Sequence, residues 1–461
     1  MSNTSRLPHP SWLALLLLGE LPFLGDRPLV RDEVVSLEAS QRHLGALWDA
    51  LHKLDAPLGL YYLMLHAWVQ VSASATWLRL PSLLAMIAAV AMLSFTATQL
   101  GGRAAGAMTA LVLTANPASW AFATYVRPYT MALLTAAVTL HVLLVAPRRA
   151  VLLGVAATLT LYLQGMFLLL LVTEGLVVLW RRQFRLAAAL VVAGLLWLPL
   201  ALEMTQQTAM TSWIPLTAPG SLATEVHDLF GSDGAASAAA LVGWAALLLW
   251  ALRGERPRAI FLLGAAPAGF LVVAGLFLHV LGARYALYLI LTTSLALGLA
   301  LGARSRVPRV VPVVLLLLAA GALAHEATLS YRQEDLPAAT AYLAAHDQPG
   351  DLLLFDPDYS RTGLLPSLDV TRGVDARDIA VLPVQDRRTV GSLFLPERSE
   401  SAIEAELSTA SRVWVVGYPG DTWQPTPNPS QRAATVSLKG WTVSSDRHFG
   451  QLHVRLLVRP V

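Results

Sequence analysis

The sequence contains no cysteine, and only 14% of its 461 residues are charged. The first absence excludes disulfides and thiolate metal sites, although it identifies no compartment. The second, beside 55% hydrophobic residues and a mean hydropathy of +0.56, excludes an ordinary soluble chain and makes the bilayer the main solvent. There is no internal repeat of the kind that builds a transporter from two related halves. The formal net charge is only +3, and the arginines fall between apolar runs rather than in one basic domain. That pattern records membrane topology and speaks against a nucleic-acid partner.

A helix needs about 20 mostly apolar residues to cross the hydrocarbon core. Eleven runs approach that length, at 9–25, 79–98, 105–124, 129–146, 149–164, 166–180, 187–203, 236–252, 259–281, 285–302 and 309–327. Arg6 and the run from Trp12 to Leu18 look like a secretory signal, but no small-x-small cleavage site follows, so an uncleaved first helix is expected. Pro57 to Val71 is shorter and carries His66 and Gln70, which fits a juxtamembrane helix better than a span. If it does not cross and the N-terminus is cytoplasmic, Arg103, Arg148, Arg149, Arg181, Arg182, Arg185, Arg253, Arg256, Arg258, Arg304, Arg306 and Arg309 all fall on the inside. Short cytoplasmic loops collect Lys and Arg in this way. The expected localisation is multi-pass in a plasma membrane, with the C-terminal segment extracytoplasmic.

This topology leaves outside a long first loop, 26–77, the turn at Arg127, the loop 205–235, the corner at Arg284 and everything after Ser330. The expected organisation is a membrane domain over 1–329 and a soluble α/β domain over 330–461. Helix Leu336 to His346 and strand Asp351 to Phe355 are followed by helix Glu400 to Ala410 and strand Val413 to Gly417. A Pro-rich loop, Pro419 to Pro429, precedes a hairpin, Trp441 to Val458, turning near Phe449-Gly450. Neither a phosphate-binding glycine fingerprint nor a metal-ligand spacing is evident there.

Arg31-Asp32-Glu33 stands just beyond the first helix. Such carboxylates are either solvated loop charges or, at an active site, a general base and its neighbour. Arg127 and Arg284 each lie at an outside helix end, where a guanidinium either snorkels or pairs with a phosphate. Glu20 and Glu174 sit inside apolar runs and are expected as helix-packing partners. His66, His227 and His279 lack ligand spacing, and Trp213 and Trp244 read as interfacial anchors.

The ordered set Asp32-Glu33, Asp55-Ala56-Pro57-Leu58-Gly59-Leu60-Tyr61-Tyr62-Leu63, Arg79-Leu80-Pro81-Ser82 and Tyr125-Val126-Arg127-Pro128-Tyr129 resembles a known family. It is similar to GT-C glycosyltransferases of the protein-mannosyltransferase and aminoarabinose-transferase type, the glycosyltransferase family 39 type, over roughly residues 10–145. The corner Gly282-Ala283-Arg284-Tyr285 matches again. The resemblance implies a polytopic α-helical fold with juxtamembrane helices and transfer of a sugar from a polyprenyl-phosphate donor to a glycan, lipid or protein outside the cytoplasm. It makes Asp32 the counterpart of the family's base, with Glu33 beside it, and Asp55, Arg127, Tyr129, Arg284 and Tyr285 substrate-binding residues. Two departures stand out. Ala56 replaces a usual proline, and Val126 replaces a frequent acidic residue, so no obligatory metal or other cofactor is expected. The rival readings are a transporter or flippase of lipid-linked saccharides, which would spread polar residues through the membrane depth, and a silent scaffold.

Overall fold

The structure is a computed structural model that describes residues 9–207, 214–230, 236–303, 310–329, 333–371, 373–418 and 428–460, with the backbone alone at 236–240 and 370. Trp213, Arg304, Arg306 and Arg309, the first residues of the C-terminal segment, and 419–427 of the Pro-rich loop lie outside the described residues.

After a 3-10 helix, Pro10–Phe23, come three short helices, α1 (Arg31–Ser40), α2 (Leu44–Leu51) and α3 (Gly59–Val69). The apolar series follows, with α4 (Ala75–Ala115), α5 (Pro117–Ala123), α6 (Tyr129–Leu144), α7 (Ala150–Leu163), α8 (Leu168–Trp180) and α9 (Phe184–Gln206). The amphipathic α10 (Pro219–Phe230) separates these from α11 (Ala236–Ala251), α12 (Glu255–Gly275), α13 (Tyr288–Gly302) and α14 (Val310–Thr328). The chain ends in α15 (Leu336–His346), β1 (Leu352–Asp356), α16 (Tyr359–Val370), β2 (Arg377–Asp378), α17 (Glu400–Thr409), β3 (Arg412–Gly417), α18 (Pro429–Ser437), β4 (Thr442–Phe449) and β5 (Leu452–Val458).

These elements form two compact units. One comprises Met1–Leu24, Arg79–Thr205 and Ile214–Thr328; the other comprises Gly25–Leu78, Gln206–Trp213 and Leu329–Val461.

In the helical unit, α4, α9, α12 and α14 are long and apolar enough to cross a membrane, and the remaining apolar helices are shorter. Val191, Leu195 and Leu202 of α9 are largely exposed, as side chains facing hydrocarbon should be. The run expected at 79–98 and the start of that at 105–124 are merged in α4, which breaks at Gly102, where φ is 83°. Only glycine adopts that conformation without strain. The second run ends again at Asn116, whose side chain accepts the Ala118 N–H at 2.9 Å while Pro117 takes the first helical position of α5. Helices α4 and α13 touch backbone to backbone. A Cβ on Gly298 would lie 2.6 Å from the Thr109 nitrogen, and one on Gly302 2.4 Å from the Ala105 nitrogen. This small-xxx-small pair gains dispersion contact that side chains would prevent. The buried Glu174 accepts a hydrogen bond from Thr139 Oγ1 at 2.9 Å, as a helix-packing partner should.

The second unit is built on a five-stranded sheet ordered β2-β1-β3-β5-β4, with β1 parallel to β2 and β3 and the other pairs antiparallel. Its central strands read Leu-Leu-Leu-Phe and Val-Trp-Val-Val because both faces are covered. Leu353, Phe355, Trp414 and Val416 face Leu336, Leu343 and Leu364 of α15 and α16, while Leu352, Leu354, Val413 and Val415 face Ile403, Leu407 and Ala433 of α17 and α18. Each such Leu or Phe contributes about 1.5–3 kcal/mol. Val34 of α1 joins the first of these clusters, so the loop at 26–77 shares a core with the C-terminal segment. At eleven residues, α3 in that loop spans about 16 Å at the usual helical rise, well short of the hydrocarbon core.

Candidate active site

Helix α1 starts at Val30, whose extended backbone leaves orphan N–H groups at the helix entrance. Glu33, three residues on and fully buried, folds back so that Oε2 accepts the Val30 N–H at 3.1 Å. Valine has no side-chain acceptor, so this is the carboxylate half of a capping box. Arg31 is also held. Its N–H donates to Glu334 Oε2 at 3.3 Å, and its guanidinium lies over the rings of Tyr418 and Tyr359, 4.5 and 5.1 Å from their centroids. Burial opposes the Arg31 charge, but Tyr418, Asp32 and Glu334 outweigh it and raise its pKa. Burial, followed by the Glu334 charge, pushes the Tyr418 phenol well up. Burial also raises the Glu334 carboxyl, against the pull of Arg31. Between these two fixed neighbours, Asp32 is half-exposed at the first turn. Of the two adjacent carboxylates, Asp32 is therefore the more exposed.

Asp55 lies in the same unit. Its backbone is left-handed, with φ of 63°, a conformation Asp tolerates better than most residues. Its buried Oδ2 accepts the Tyr62 hydroxyl at 2.8 Å. The next residue explains one departure from the family pattern. The Ala56 N–H donates to Gln207 Oε1 at 3.0 Å while Gln207 Nε2 donates to the Leu51 carbonyl at 2.8 Å. A proline at 56 has no N–H to give.

The helical unit holds the remaining predicted residues. Ser82 of the Arg-Leu-Pro-Ser motif donates to the Tyr125 carbonyl at 2.7 Å and so ties down the Arg127-Pro128-Tyr129 corner. Arg79 is buried and donates to the Leu24 carbonyl at 2.8 Å. Arg127 is also buried, whereas Arg284 and Tyr285 are half-exposed in a short 3-10 turn, Ala283–Tyr285. Arg284 Nη1 donates to the Tyr129 hydroxyl at 3.3 Å, which brings together two motifs 155 residues apart. The Ala283 N–H donates to Glu225 of α10, whose carboxyl burial raises and this bond lowers. The Arg284 turn and the Tyr129 corner thus meet within the helical unit.

Asp32, Glu33 and Asp55 thus belong to one unit, and Arg127, Tyr129, Arg284 and Tyr285 to the other. The sequence reading missed Glu334, Tyr359, Tyr418, Gln207 and Glu225. Tyr359 and Tyr418 each follow the end of a parallel strand, a place where side chains commonly meet ligands or partners, and that signal was available. The others are recognisable only once the chain is folded. His66 Nδ1 is 2.7 Å from the Ser40 carbonyl and His279 Nδ1 contacts the Ile214 carbonyl, both packing roles.

No protein-family model matches the sequence, and no curated protein matches it. Among solved structures, ArnT from Cupriavidus metallidurans bound to undecaprenyl phosphate superposes with a TM-score of 0.53 at 16% identity, covering 96% of this chain and 97% of that one. The apo state of the same protein gives a TM-score of 0.54 at 14% identity with the same coverage. The chain shares the fold of ArnT along essentially its whole length.

Proposed function

We propose that this protein is a membrane glycosyltransferase that moves a sugar from a polyprenyl-phosphate donor to an acceptor on the extracytoplasmic side. The observation that carries the reading is the full-length likeness to ArnT, one of whose structures is bound to undecaprenyl phosphate. The motif order supports it. In the reaction, Asp32 takes the proton of the acceptor hydroxyl, the acceptor oxygen attacks the anomeric carbon, and the bond to the polyprenyl phosphate oxygen breaks. Arg284 pairs with the phosphate that leaves, offsetting its developing charge. Tyr129 orients Arg284, Tyr285 lines the donor, and Asp55 and Arg127 hold the substrate-binding corners. Glu33 supports Asp32 by fixing the helix start. No step needs a metal.

The same reading makes the chain a plasma-membrane protein of envelope biosynthesis with about eleven spans and a cytoplasmic N-terminus. Residues 330–461 form an extracytoplasmic α/β domain, a reading supported by the sheet covered on both faces. The direct test incubates purified protein with a panel of polyprenyl-phosphate sugars. One donor should be consumed with release of free polyprenyl phosphate; a panel left intact beside movement of lipid-linked sugar between leaflets would instead establish the flippase.

A further inference from the structure

The last hairpin brings three metal-ligating side chains to one face of the sheet. Side chains alternate faces along a strand, so Asp446 and His448, two residues apart on β4, point the same way. His448 is in register with His453 of β5, which puts both imidazoles on that face. Asp446 Oδ1 stands 3.4 Å from His453 Nδ1 and 3.6 Å from His448 Nε2, and one ligand atom from each residue lies within 4.8 Å of the others. Two ligands held tetrahedrally at about 2.0–2.1 Å from a zinc ion are about 3.3–3.4 Å apart, so the spacing is already close to that of a bound ion.

A proton-mediated ion pair accounts for less. Asp446 and His448 are exposed, and exposed pairs contribute about 0–1 kcal/mol at most. Arg455, opposite Asp446 in register, makes no ion pair with it among the described residues. Strand β4 is at the sheet edge and almost wholly exposed, so a cross-strand ion would add a clip that the core does not provide. The Asp-x-His-x4-His spacing escapes a search for helical or knuckle motifs because the ligands meet only when the strands pair.

We propose that Asp446, His448 and His453 form a site for a divalent transition-metal ion such as Zn2+, held by one carboxylate oxygen and two imidazole nitrogens with further positions open to water. The site is independent of the proposed transferase activity. Its test uses the full chain purified without a polyhistidine tag, stripped with chelator and titrated with Zn2+ and Co2+. One equivalent should bind, with visible Co2+ bands of a four- or five-coordinate site. His448→Ala, His453→Ala and Asp446→Asn should each weaken binding at least tenfold, since even partners that only orient a ligand are worth about 10–100-fold. His52→Ala, at an exposed histidine outside the cluster, should leave it unchanged. Zinc should raise the melting temperature of the parent protein and of His52→Ala only, while all variants melt alike without metal, which separates ligation from misfolding. The proposal is overturned by the absence of stoichiometric binding, or by binding that the three ligand variants retain.

Discussion

Asp32 and Glu33 share the same chemistry, and the start of α1 gives them different surroundings. Glu33 is buried with its carboxylate on the Val30 N–H, while Asp32 remains half-exposed. Asp32→Asn keeps size and hydrogen-bonding shape but removes basicity, so turnover should fall by about 10²–10⁴ while donor binding persists. Glu33→Gln still has an oxygen for the Val30 N–H and should be milder in turnover. Single-turnover kinetics with a binding assay check both; Asp32→Asn within threefold of the parent would remove this loop from the chemistry. The sequence reading could place the pair but not separate its members, because their roles depend on the residue at which the helix begins. The two arginines are a similar case. Both were visible at helix ends, and only the fold shows Arg127 buried and Arg284 half-exposed against Tyr129. Arg284→Ala should raise the donor KM or lower kcat by tens- to hundreds-fold, the effect of losing a charged hydrogen bond of about 2–3 kcal/mol. Arg148→Ala, at an exposed arginine between α6 and α7, serves as the control, and equal donor kinetics in the two would return Arg284 to snorkelling.

At the scale of elements, the turn before α3 has replaced a proline with a hydrogen bond, and that exchange can be measured. Ala56→Pro should lower stability by about 1–2 kcal/mol, because the Gln207 amide oxygen loses its donor inside the unit. In a Gln207→Ala background the same substitution should cost much less, so thermal melts of the two single variants and the double variant should be non-additive. Additive losses would mean that the bond to Gln207 contributes nothing. Elements with strong periodicity or clear punctuation were legible, among them α15, β1, α17, β3 and the final hairpin. Helix α16 was not, since Gly363 and Pro366 break its pattern and its helicity rests on packing against the sheet. Helix α18 had a readable signal in Asn428-Pro429 followed by Gln431, a capping box with proline at the first helical position, but the prolines before it drew the reading towards loop. The docking of α1 was beyond sequence reasoning altogether, because nothing local in Arg31 to Ser40 specifies contact with Tyr359 and Tyr418.

For the whole molecule, the absence of cysteine makes membrane sidedness directly measurable. Gly350 is unsuitable as a labelling site because its φ of +93° would strain any side chain, so Gln348 beside it is preferred. Cysteine at Gln348 should react with an impermeant thiol reagent in intact cells, and cysteine at Glu255, the first residue of α12, should not. The opposite pattern would reverse the topology and move every outside residue discussed above. One arrangement also bears on how the protein is made. The second unit is assembled from three stretches of chain, and the Arg31 N–H finds its partner at Glu334, 303 residues later. At about 5–20 residues per second, roughly 15–60 s pass between synthesis of the first partner and of the second. Throughout that interval the α1 segment lacks the core it will join, so a ribosome stalled before the last hairpin leaves a chain whose apolar helices are complete but whose α1 has no settled position. Until the C-terminal segment has been made, α1 lacks its core and stays open to proteases.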